Sequence, residues 1–228
     1  MTDARDHLAL ALDVGGLDDA LRLATRLQPW FGIAKMGMEL YAEAGPEAIE
    51  ALQDKGFQVF ADLKLYDIPT TLRRTATVLG RRGVAFLNFP AAVGIDSLRA
   101  GIDGLRSGAR EAGHPEPVAL GVTVLTSDPD ASAMDARLDV ARDAGCAGVV
   151  CAGADVPRAR TRGLRTMVPG IRPAGARADD QARVDTPSDA IARGADWLVI
   201  GRAVTAAPDP EAAAAAIARD VEHALATR

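Results

Sequence analysis

The chain predicts a (β/α)8 barrel, and three observations carry that reading. Short β-rich apolar runs recur eight times along its 228 residues, amphipathic stretches of helical character separate them, and no linker-like shift in composition divides the whole. With 48% hydrophobic residues there is enough apolar material for one sizeable core, so residues 1–228 read as a single barrel domain.

The units follow one another from end to end. Leu8 to Leu12 forms the first strand and ends in Asp13, with a helix from Asp18 to Leu27. Gly32 to Ala34 forms the second and ends in Lys35, with a helix from about Pro46 to Asp54. Phe57 to Ala61 is the third, followed by a helix from Thr71 to Arg82; Val84 to Asn88 is the fourth, followed by Ile95 to Ala112. Val118 to Val124 is the fifth, with a helix from Ala131 to Ala144. Gly148 to Val150, Met167 to Pro169 and Trp197 to Ile200 complete the set, and the alanine-rich stretch from Glu211 to Ala218 reads as a last helix on the outside.

In a barrel of this kind the active site lies at the C-terminal ends of the strands. Asp13, Lys35, Asp62 with Lys64, Thr126, Arg172 and Gly201-Arg202 all fall at such ends, so they converge on one mouth. A polar residue at a single strand end is ordinary solvation, but the same pattern at six of them points to a site.

The densest part is Ala61 to Thr71, where Asp62, Lys64 and Asp67 follow an apolar run. Residues two apart on a strand share a face, which aims Asp62 and Lys64 at the same space. Pro69 prevents a smooth helical continuation from Asp67, because the residue before a proline is driven out of the α region. Asp67 is therefore expected to point away from the mouth that Asp62 faces. Among 26 Lys+Arg, lysine occurs only at 35, 55 and 64. A chain so biased to arginine keeps lysine where a compact, titratable ammonium is required. Lys55 closes a helical stretch, where a cation suits the helix dipole, and reads as structural.

Composition also excludes. The net charge of -5 and the absence of a basic run apart from the scattered arginines of 158–165 argue against nucleic acid. No apolar stretch approaches the roughly 18 residues of a membrane span, and the expectation is a cytoplasmic protein. Cys146 and Cys151, an odd number of residues apart, are expected on opposite faces of a strand, free and structural. His7, His114 and His223 lie away from the strand ends, so histidine is not expected as the acid or base. After the last two strands, Gly201 allows backbone N–H groups near an anion and Arg202 can clasp two phosphate oxygens, which suggests a small phosphorylated substrate.

Asp62-x-Lys64-x-x-Asp67-Ile68-Pro69-x-Thr71, together with Asp13, Lys35, Val124 to Ser127, Pro169 to Pro173, Gln181 and Gly201-Arg202, resembles the orotidine 5'-phosphate decarboxylases from about Leu8 to Val204. The resemblance implies decarboxylation of orotidine 5'-phosphate to uridine 5'-phosphate, the last step of de novo UMP synthesis, without metal or organic cofactor. It also implies a homodimer with sites at the interface. Lys35, Asp62 and Lys64 would form a charged array completed by Asp67 and Thr71 of the partner subunit, with Lys64 as proton donor. Asp13 and Thr71 would hold the ribose, Thr126 the pyrimidine edge, and Gln181, Gly201 and Arg202 the phosphate, with Arg172 on a closing loop. Two positions depart from the family pattern: Thr70 replaces the usual asparagine, and Leu87-Asn-Phe-Pro90 stands where Val-Asn-Val-His is common.

Overall fold

The computed structural model describes residues 3–128, 130–173 and 185–227. Its strands are β1 (Leu8–Ala11), β2 (Ile33–Gly37), β3 (Gln58–Asp62), β4 (Phe86–Pro90), β5 (Val118–Val122), β6 (Gly148–Val150), β7 (Arg165–Val168) and β8 (Trp197–Ile200). They run parallel and close into a barrel in chain order, with Leu10 of β1 beside Ile200 of β8 at the closing seam. The helices are α1 (Leu17–Leu27), α2 (Met38–Ala44), α3 (Glu47–Gln53), α4 (Pro69–Arg81), α5 (Ile95–Ala112), α6 (Met134–Ala144), α7 (Val156–Arg160), α8 (Pro187–Ala192), α9 (Arg202–Thr205) and α10 (Pro210–Ala226). No helix among the described residues is long and apolar enough to cross a membrane.

Strand alternation sorts the apolar residues into two layers. Leu8, Leu10, Ala34, Val59, Leu87 and Leu198 pack outward against the helices, in the large cluster between barrel and shell. Ala9, Ala11, Ile33, Phe60, Phe86, Leu120, Met167 and Val199 point inward. Phe86 meets Phe60 at 6.2 Å and Trp197 at 5.0 Å, both edge to face, which plugs the barrel interior. Each such buried ring contributes about 1.5–3 kcal/mol by leaving water. The floor beneath the mouth is therefore fixed by packed aromatic rings, and whatever lies above it stands on a rigid base.

Several boundaries differ from the sequence reading, each for a physical reason. Lys35 lies inside β2, not at its end, because pairing with β3 continues to Gly37, although pairing with β1 stops at Lys35. The helix after β3 begins at Pro69 and not Thr71: proline is suited to the first helical position, where its missing N–H costs nothing. Cys146 precedes β6, so the alternation argument does not apply to it, although both cysteines are free and buried. Burial pushes the Cys146 thiol up to about 12. The arginines of 158–162 are taken up by local acids, with Arg158 on Asp135 and Asp155 and Arg162 on Asp135 and Asp139.

Helices α4 and α5 approach unusually closely because glycine lines the crossing. A Cβ on Gly104 would run into the Arg73 carbonyl, and one on Gly108 into the Thr77 carbonyl. Helix propensity alone favours Gly→Ala by about 1 kcal/mol, but overpacking costs about 1–3 kcal/mol, so the clash decides the sign. Gly108→Ala is expected to lower Tm by several degrees in a calorimetric scan, at ~2–4 °C per kcal/mol for a domain of this size. An unchanged or raised Tm would show that the helices can separate without loss.

Candidate active site

The inward positions that follow the aromatic plug change from apolar to polar on neighbouring strands. Ile33 gives way to Lys35, Phe60 to Asp62, and Phe86 to Asn88, each pair two residues apart on its strand. Asp13 stands two beyond the inward-facing Ala11. Lys35 is only 8% exposed, and its Nζ lies 2.8 Å from Asp13 Oδ1 and 3.5 Å from Asp62 Oδ2. The two carboxylates are therefore bridged by one ammonium. A Cβ on Gly37 would sit 3.0 Å from Asp13 Oδ1 and 3.4 Å from Lys35 Nζ, so glycine there leaves room for the bridge.

Lys64 reaches the same mouth by a route that strand geometry does not supply. Beyond Asp62 the chain leaves β3, and Lys64 takes φ 49°, the only non-glycine residue with positive φ among those described. Such a conformation costs on the order of 1–3 kcal/mol and persists when its surroundings enforce it. Here Asn88 enforces it: the Lys64 backbone N–H donates to Asn88 Oδ1 at 2.8 Å, and the Leu65 N–H donates to the Asn88 carbonyl at 3.2 Å. The Lys64 ammonium then donates to Asp62 Oδ1 at 2.6 Å. The expected common face of Asp62 and Lys64 holds, but a left-handed turn produces it and not the pleat of a strand.

Burial alone would push the Asp62 carboxyl up, since desolvation is the largest single influence on it. Lys35 and Lys64, with hydrogen bonds from Lys64 and Asn88, outweigh that and hold it below the usual aspartate range. Asp62 is thus an ionised, largely enclosed carboxylate at neutral pH. With Asp13, Lys35 and Lys64 it makes an alternating array whose charges cancel within the chain.

The array forms one side of a cavity of about 460 Å³, a size suited to a small-molecule ligand. Thr126, Arg172, Gly201 and Arg202 also line it. Arg172 is buried, and its Nη1 donates to the Ile171 carbonyl at 3.1 Å. Nearby, the Arg172 N–H donates to the Asp185 carbonyl at 2.9 Å and the Asp185 N–H donates to the Gly170 carbonyl at 3.3 Å. These two bonds tie Gly170 and Arg172 to Asp185; residues 174–184, Gln181 among them, lie outside the described residues.

Of the residues singled out in the sequence, Asp13, Lys35, Asp62, Lys64, Thr126, Arg172, Gly201 and Arg202 border this one cavity. Asp67 and Thr71 do not; both are exposed at the start of α4, and Asp67 Oδ1 accepts from the Ile68 N–H at 2.7 Å. No histidine lines the cavity. The sequence reading missed Asn88 and Gly37. Asn88 carried a usable signal, a polar residue two beyond an inward phenylalanine, the same pattern that marks Asp62.

Three comparisons bear on this arrangement. A family model described as "Orotidine 5'-phosphate decarboxylase / HUMPS family" matches residues 6–217. An orotidine 5'-phosphate decarboxylase of Moorella thermoacetica is 41% identical over 96% of this chain and 93% of its own length. One of Heliobacterium modesticaldum is 38% identical over 99% of this chain and 100% of its own. The crystal structure of orotidine 5'-phosphate decarboxylase from Lactobacillus acidophilus superposes with a TM-score of 0.82 at 31% identity, covering 95% of this chain and 99% of that one. The closed barrel, the paired charges at its mouth and these matches along nearly the whole length converge: the chain belongs to the orotidine 5'-phosphate decarboxylase / HUMPS family.

Proposed function

We propose that the protein decarboxylates orotidine 5'-phosphate to uridine 5'-phosphate, the last step of de novo UMP synthesis, with no cofactor and with Lys64 as proton donor. The observation that carries the proposal is the Lys64 ammonium held 2.6 Å from Asp62 at the edge of a nucleotide-sized cavity. The full-length relatives named for this activity support the same reaction. Lys35 between Asp13 and Asp62 supports chemistry without a metal, because a resident cation already neutralises the carboxylates that a metal would use.

Loss of carbon dioxide breaks the bond between C6 of the pyrimidine and its carboxylate carbon. The electron pair stays at C6 in an in-plane orbital that the ring does not delocalise. Lys64 stabilises that developing charge and then gives C6 a proton, forming the new C–H bond; the neutral amine is reprotonated from solvent. Asp62 orients Lys64 and crowds the departing carboxylate, while Lys35 moderates repulsion between the acids. Because the charges are fixed before the substrate arrives, little reorganisation accompanies the reaction.

Thr126 would meet the pyrimidine edge, Asp13 and Thr71 the ribose, and Gln181, Gly201 and Arg202 the phosphate, with Arg172 on a closing loop. Phosphate binding energy can then hold the reacting end against the array, raising rate as well as affinity. Asp67 and Thr71 would serve the site of a second subunit. Their exposure, beside the apolar side chains of Tyr66 and Ile68 at 62% and 65% exposed, suits a surface that a partner covers.

Turnover followed by absorbance with orotidine 5'-phosphate is expected to survive an excess of chelator, and Lys64→Ala to lose at least about 10²–10⁴-fold in kcat. Inhibition by chelator would point to a metal-dependent relative. Arg202→Ala is expected to raise KM and lower kcat together; a change in KM alone would mean the phosphate serves only affinity. Mixing Lys64→Ala and Asp67→Ala proteins under subunit exchange should restore activity, since one site in each mixed dimer is intact. No recovery despite proven exchange would mean self-contained sites.

A further inference from the structure

We propose that Asn88 is a positioning residue that sets the geometry of both Lys64 and Asp62, and that its amide is required as an amide. The inference rests on the preceding reading of Lys64 and Asp62 as the working pair.

Asn88 is 0% exposed and stands at the inward position of β4 beside Asp62. Its side chain makes two contacts of opposite polarity. Oδ1 accepts from the Lys64 backbone N–H at 2.8 Å, while Nδ2 donates to Asp62 Oδ1 at 2.7 Å. The orientation of the amide follows from its partners, since a backbone N–H can only donate and an ionised carboxylate can only accept. A third contact comes from the main chain, where the Asn88 carbonyl accepts from the Leu65 N–H. One buried residue thus fixes the turn that carries the proton donor and the carboxylate that orients it.

The chemistry narrows what can stand at this position. Alanine or leucine would leave a partly buried Lys64 N–H without its Asn88 acceptor and remove one donor from Asp62. Aspartate matches the amide in shape. When ionised it could still accept from Lys64 N–H, but it would set a second carboxylate oxygen against Asp62 at the present 2.7 Å contact. When protonated it could accept and donate as asparagine does. The groups facing this position are Asp62 on β3, Lys64 just beyond it, and Lys35 on β2 through Asp62; the register neighbour on β5 is Leu120, without charge. The lysines favour ionisation of the introduced carboxyl, whereas burial and the Asp62 oxygen oppose it. Two carboxylates in direct contact hold one proton between them and release it as pH rises. Substitution by aspartate therefore converts the positioning role into a pH-dependent one that the natural amide lacks.

The test compares wild type, Asn88→Asp, Asn88→Ala and Lys64→Ala, taking kcat and KM for orotidine 5'-phosphate from about pH 5 to 9 together with the thermal midpoint of each. Displacement of a reacting group by about 1 Å costs on the order of 10²-fold, so both Asn88 variants are expected to fall by about that factor in kcat at high pH, with smaller changes in KM. The ratio of Asn88→Asp to wild type should rise at least about tenfold toward low pH as the carboxyl pair takes up its proton. The corresponding ratio for Asn88→Ala should stay flat. A structural role alone would lower the thermal midpoint and leave the kcat of the folded protein and its pH profile as in wild type, which would overturn the inference. So would an Asn88→Asp ratio that does not change with pH. Should Asn88→Asp fail to fold at high pH, the kcat of Asn88→Ala decides: a wild-type value refutes the role. If Lys64→Ala keeps full activity, the reading of the working pair fails. If Lys64→Ala is inactive while the Asn88 variants match wild type, only the present inference falls.

Discussion

The Asp62 carboxylate is the contact on which the site depends. Its two oxygens are shared among Lys64, Asn88 and Lys35, and through Lys35 it is tied to Asp13. An enclosed carboxylate is costly unless cations and hydrogen-bond donors compensate it, and here two lysines and an amide share that role. Because the carboxyl is held below its unfolded value, its contribution to stability is present above that value and is lost as pH falls through the folded one. The same ionised group that stabilises the mouth orients the ammonium beside it.

The barrel supplies what this cluster needs. The aromatic plug of Phe60, Phe86 and Trp197 fixes the floor, and alternation along each strand lifts the next inward residue into the mouth. Lys35, Asp62 and Asn88 therefore start from rigid strands. Lys64 is the exception, being on a turn, and for that reason it has a dedicated clamp. Arg172, Gly201 and Arg202 line the same cavity as this array.

Much of this was legible in the sequence because the strands are short apolar runs ending in charge. Asp13, Lys35, Asp62, Lys64 and Arg202 could be assigned to one mouth from strand order alone. The scarcity of lysine sharpened the choice of Lys35 and Lys64. What was not legible depends on distance between strands. Asn88 is one uncharged residue in Phe86-Leu-Asn-Phe-Pro90, and nothing in that run reveals that its amide spans from a β3 carboxylate to the backbone of a turn. The positive φ of Lys64 was hidden for the same reason, since its cause lies on another strand. The short α2 after β2 was missed because Met38–Ala44 has neither a side-chain cap nor the length to display a clear helical period. The register of Lys35 inside β2 needed the neighbouring strands, not the sequence of β2 itself.

The most direct measurement is a carboxyl carbon NMR titration of Asp62 in the folded protein, assigned by loss of its signal in Asp62→Asn. The account predicts that Asp62 stays ionised below the ordinary aspartate value of about 3.9. Titration at or above that value would mean that desolvation outweighs Lys35, Lys64 and Asn88, and that the mouth does not hold the fixed charge from which the mechanism follows.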